Sequence, residues 1–132
     1  MIRVDGDRED KVIKLIEEHG FYENEENQTF TKEVIVSGNK SKMSVFFPQS
    51  HINTVDIHFE TKDRWMSFSI PSQVRIDDLL YAINKLVLNI DTIYTKFAKK
   101  RSTCKSVCFH HLCTREYLKC FGCGNVIDLS EY

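Results

Sequence analysis

With 132 residues, 42% of them hydrophobic, the chain is sized for one ordinary domain with a real core, and it contains no low-complexity tract. A net charge of −1 excludes a global electrostatic argument for nucleic acid or an anionic membrane. No run approaches the roughly 18 apolar residues of a membrane span, and the first residues, MIRVDGDRED, carry no apolar signal-peptide core, so a soluble, cytoplasmic protein is expected.

The charge is unevenly spread. Residues 1–33 hold ten acidic and five basic side chains, whereas residues 96–120 hold seven basic and one acidic. The chain thus has an acidic front and a basic stretch near its end. Ile, Lys, Asn, Phe and Tyr greatly outnumber Ala, Gly, Pro and Arg, the codon bias of a low-GC genome.

A first helix is predicted over about 8–19, capped by Asp5 or Asp7 and closed by Gly20 at its C-terminal end. Val12, Ile13, Leu15 and Ile16 give it an apolar stripe, and the polar segment 23–28 reads as a loop. Four strand-like runs follow at 29–36, 42–47, 54–60 and 64–70. Val55, Ile57 and Phe59 alternate with Asp56, His58 and Glu60. Short connections predict antiparallel hairpins with one wet face. His58 lies on that wet face beside Asp56, and Trp65 lies opposite Met66 and Phe68.

Residues 75–98 carry the strongest periodicity. Ile76, Leu79, Leu80, Ile83, Leu86, Val87, Ile90, Ile93, Tyr94 and Phe97 recur at helical spacing, which predicts one long amphipathic helix covering the sheet. The expected fold class is therefore α+β: an N-terminal helix, a four-stranded antiparallel sheet and a long C-terminal helix within residues 1–101, then a small module at 102–132 packed on or appended to that domain.

The module carries all five cysteines, between 104 and 123. An odd, tightly clustered set in a cytoplasmic chain points to metal rather than disulfides. Cys120-Phe121-Gly122-Cys123-Gly124 is a CxxCG knuckle, in which two thiolates two residues apart grip one tetrahedral ion. Tyr117-Leu118 and Val126-Ile127 on either side suit a short hairpin. The segment resembles a zinc ribbon over about residues 102–129. That resemblance implies a structural Zn2+ held by a second pair upstream, Cys104 and Cys108, together with Cys120 and Cys123. The upstream spacing is CxxxC, so Cys113, His110 or His111 compete with Cys104 for the fourth position. A tail this poor in large apolar residues cannot offset its own ordering entropy, whereas structural zinc supplies about 10–16 kcal/mol that couples to folding.

No catalytic constellation is legible: HExxH, a Gly-rich phosphate loop and a Ser-His-Asp order are all absent from the sequence. A non-enzymatic protein is expected. The small, zinc-bearing, acidic-fronted plan is similar to that of phage anti-CRISPR proteins. This resemblance implies an inhibitor from a phage or other mobile element that binds a protein target such as a Cas9-type effector nuclease. The alternative is a zinc-ribbon nucleic-acid-binding or transcription-regulatory protein, with Lys96, Lys99, Lys100, Arg101, Lys105, Arg115 and Lys119 meeting phosphates.

Overall fold

The computed structural model describes residues 6–24, 29–36, 38–47, 54–61, 65–71, 74–99, 106–111, 117–120 and 125–132. The chain is α+β, in the order α1 (Gly6–Glu18), β1 (Tyr22–Asn24), β2 (Thr29–Val36), β3 (Asn39–Phe46), β4 (Thr54–Glu60), β5 (Trp65–Pro71), α2 (Ile76–Leu88), α3 (Ile90–Lys99), β6 (Ser106–His111), β7 (Tyr117–Cys120) and β8 (Val126–Asp128). A short 3-10 turn, Leu129–Glu131, follows.

α1 ends in a Schellman motif. Gly20 adopts φ 93°, its N–H donates to the Glu17 carbonyl, and the Phe21 N–H donates to the Ile16 carbonyl. The accompanying apolar pair is Phe21 and Ile16, both buried. His19 Nε2 lies 2.8 Å from Asn84 Oδ1, which ties the end of α1 to α2.

Two expectations are corrected here. The sheet is not four-stranded: residues 22–24, expected to run into a loop, form β1 and pair with β2 through Tyr22↔Thr31. β1 to β5 thus form a five-stranded antiparallel meander. Nor is the long helix continuous. It breaks at Asn89, which stands at φ −118° and ψ 18°. The Asn89 side-chain amide donates to the Lys85 carbonyl at 2.8 Å, and the Asn89 backbone N–H donates to the same oxygen. The Ile93 N–H donates to the Asn89 carbonyl at 2.9 Å, so ladder bonds persist on both sides, and the break lies in the non-helical Asn89 backbone, after which the chain restarts as α3.

The pair α2–α3 is the crossover to β6, which lies parallel to β5 with Phe68↔Phe109 and Ser67↔Cys108 in register. β7 and β8 continue the same sheet, whose strand order follows the chain order. One face of the sheet is covered by the helices. Met43, Val45, Ile57, Phe59, Met66, Phe68 and Ile70 on that face, with Leu79, Ala82, Ile83, Leu86 and Ile93 on the helices, form the buried core. The 3-10 turn returns to the helical layer: Leu129 is buried, Lys96 pairs with Glu131 at 3.0 Å, and Lys85 Nζ donates to the Tyr132 carbonyl. No helix among the described residues is long and apolar enough to cross a membrane.

Candidate metal centre and docking face

The knuckle sits where a hairpin turns. β7 and β8 pair antiparallel, Leu118↔Ile127 and Lys119↔Val126, so the segment 121–124 joins them. The Cys120 N–H donates to the Asn125 carbonyl at 2.9 Å and closes the turn. Leu118 and Ile127 anchor the hairpin in the core. Cys120 is 3% exposed and belongs to the same apolar cluster.

The other expected ligands are less gathered. Cys108 lies in β6, one residue before Phe109, and it is Phe109 whose Cα pairs with Cys120. His110 and His111 follow in the same strand, paired with Lys119 and Leu118. Cys104, Cys113 and Cys123 lie outside the described residues. Among the described residues, no group of three or more His, Cys, Asp or Glu side chains is close enough to hold a metal.

The basic stretch is divided in a similar way. Lys100, Arg101, Lys105 and Arg115 lie outside the described residues, and Lys99 is the last residue of α3. Lys96 is engaged by Glu131 and also stands 5.9 Å from the centre of the Tyr132 ring. The hydrogen bond to Glu131 holds its ammonium above the usual lysine range. Lys119, in β7, is half-buried.

The face of the sheet away from the helices supplies a surface that the sequence did not single out. Cross-strand partners share a face, so the register row Tyr22, Thr31, Ser44, His58, Ser67, Cys108 runs along it. The next row is Phe46, Asp56, Ser69, His110, Lys119, Val126. Ile35 and Tyr117 fall on the same face by two-residue alternation. Among the described residues, six large hydrophobics are exposed, and five of them lie here: Tyr22, Ile35, Phe46, Tyr117 and Val126. Ile35 is 68% exposed and Tyr22 58%. The sixth, Leu88, is at the end of α2.

The centre of that face is low and polar. Ser67 is only 5% exposed, and Phe46 packs on the His58 ring with centroids 4.6 Å apart. Burial pushes the His58 imidazole below its ordinary range, and the nearby Asp56 charge only partly opposes this. At one end, a depression is lined by Tyr22, Glu33, Lys40, Lys42, Glu60 and Thr61, with charges of both signs. The signal for this face was present in the alternation of β2 and β3, where Ile35 and Phe46 stand out of phase with the core positions Val36 and Val45.

No family model, no curated protein and no solved structure matches the chain.

Proposed function

We propose that this chain is a non-enzymatic, zinc-stabilised cytoplasmic protein that binds and inhibits a protein target through the open face of its sheet. The observation that carries this reading is that Tyr22, Ile35, Phe46, Tyr117 and Val126, spread from β1 to β8, stand exposed on the one face of the sheet that no helix among the described residues covers. Tyrosine and phenylalanine are enriched at protein interfaces and serve there as anchors. Glu33, Asp56, Glu60 and Asp128 share that face with Lys40, Lys42 and Lys119 by register. Mixed charge around apolar anchors suits a protein surface, whereas a phosphate backbone would meet four carboxylates.

We assign the zinc to the tail, with Cys120 and Cys123 as the knuckle and Cys104 and Cys108 as the second pair; because register sets Cys108 and Cys120 on opposite faces of the sheet, binding requires β6 or β7 to shift when the ion is held. Lys105, Arg115 and Lys119 offset the charge of the thiolates. The acidic N-terminal region, with Asp10, Glu17 and Glu18 around α1, complements a cationic, nucleic-acid-binding target. A phage or mobile-element inhibitor of a Cas9-type nuclease fits these features. The test is DNA cleavage by such a nuclease with and without the purified protein, alongside binding of the protein to nonspecific DNA at low and high salt. Inhibition without DNA binding is the expected result. Salt-dependent DNA binding with cleavage unaffected would instead support the zinc-ribbon nucleic-acid-binding alternative.

A further inference from the structure

β2 keeps an open edge. It spans Thr29–Val36, but β1, its outer neighbour, pairs only with Thr29, Phe30 and Thr31. Beside Lys32 the end of α1 takes the place of a strand, since a Cβ at Gly20 would lie 3.7 Å from the Lys32 side chain. From Glu33 to Val36 the inner side of β2 pairs with β3 without a bulge, Glu33↔Lys42 through Val36↔Asn39. Among the described residues, no strand or main-chain group pairs with the outer side of that stretch. Its outward N–H and C=O groups form a short ladder of donors and acceptors that an extended backbone can use. The stretch also lacks proline, one of the residues that natural sheets use to blunt an edge.

We propose that the edge Glu33–Val36 takes an extended peptide segment of a protein partner as an added strand, antiparallel to β2, with apolar side chains opposite Val36, Ile35 and Val34 and a lysine or arginine opposite Glu33. The proposal deepens the protein-binding reading above and rests on it. Main-chain pairing supplies the affinity in such strand addition, and alternate side chains supply the specificity. The side chains of β2 define the occupant on both faces. Val36 is buried and Val34 is partly buried against the core, so apolar residues opposite them extend the helical layer. Ile35 is 68% exposed on the open face, and an aromatic residue opposite it would cover it. Glu33, Lys42 and Glu60 form one row of alternating charge across β2, β3 and β4. A cation on the added strand continues that alternation. The antiparallel direction, favoured per residue over the parallel one, runs the peptide along the line of β1 towards Tyr22. The cation would then stand two positions before the exposed Tyr22 ring, on the same face. A second copy of the chain fits less well. Four edge residues fall far short of the roughly 1,000 Å² that a stable interface buries. Facing residues also share a face, so a copied β2 sets Glu33 only against Thr29, Thr31, Glu33 or Ile35, none of them basic.

The test is isothermal titration of the full chain with the blocked peptide acetyl-Ser-Val-Tyr-Val-Lys-Ser-amide. Two versions accompany it, one N-methylated at both valines and one at the tyrosine and lysine. Every second N–H of an added strand points at its neighbour, so one methylated version should lose binding and the other should keep it. Glu33→Lys should weaken binding by about fivefold, and a peptide with glutamate in place of lysine should recover it. Glu33 is exposed, so this variant should fold as wild type does. No saturable binding at about 1 mM peptide, or equal binding by both methylated versions, would overturn the proposal. A dimer in light scattering that Ile35→Lys dissociates would also overturn it, by giving the edge to a second copy. Peptide binding without nuclease inhibition would reject the inhibitor reading and leave the edge site standing. Inhibition without peptide binding would reject the edge site alone.

Discussion

At the scale of single residues, two side chains carry testable consequences. Gly20 closes α1 at φ 93°, and a Cβ built there meets nothing nearer than the Lys32 side chain at 3.7 Å. Any cost of Gly20→Ala is therefore backbone strain rather than a clash. The left-handed conformation should lower stability by about 1–2 kcal/mol, read as a shift of the urea midpoint at constant slope. His58 sets a pH dependence. Its folded pKa lies below the ordinary imidazole value near 6.5, because burial disfavours the charged form. Below that value the unfolded chain binds the proton more readily, so stability is complete above about pH 6.5 and falls as pH drops further. His58→Gln should flatten this part of the profile in denaturant titrations at several pH values. Gly20 was legible in the sequence because it directly follows an apolar helical stripe. For Ile35 and Phe46 alternation separated them from Val36 and Val45, but which set faces the core is settled only by register and packing.

At the scale of elements, periodicity located the helical layer but not its break. Leu86, Val87, Ile90 and Ile93 keep helical spacing straight through Asn89, and a stripe that continues in phase gives no sign that the backbone has turned. What marks the break is the Asn89 backbone at φ −118° and ψ 18°, which is conformational rather than periodic. β1 escaped notice because its three residues, Tyr-Glu-Asn, carry no apolar alternation. The parallel pairing of β5 with β6 is non-local, made across the whole α2–α3 crossover, and no local pattern encodes it. The β7–β8 hairpin, by contrast, follows from short apolar runs on either side of the knuckle. Ile83 is fully buried on α2 under the sheet, so Ile83→Ala should destabilise the fold by about 2–5 kcal/mol, measured by thermal or urea unfolding. Cys120 is both core residue and expected ligand. Cys120→Ser should disorder the C-terminal strands while β1–β5 and the helices remain, as judged by circular dichroism with metal analysis. Full zinc retention in that variant would count against the tail assignment.

At the scale of the whole molecule, the helices cover one face of the sheet and leave the other bearing exposed aromatic and aliphatic side chains around a polar centre. A sheet with one solvated face is common in antiparallel domains; what supports the proposed binding role is that five exposed large hydrophobics stand on that face. The acidic side chains of α1 lie on the helical side of the sheet, so the open face on the other side is the proposed recognition surface, with zinc proposed to order the cysteine-rich tail. The most direct measurement is affinity capture from a nuclease-treated lysate of a low-GC bacterium, comparing wild type with the triple variant Tyr22→Ala, Phe46→Ala, Tyr117→Ala. The account predicts a protein partner that survives nuclease with wild type and is lost with the variant. A partner retained equally by both, or released by nuclease alone, would contradict it.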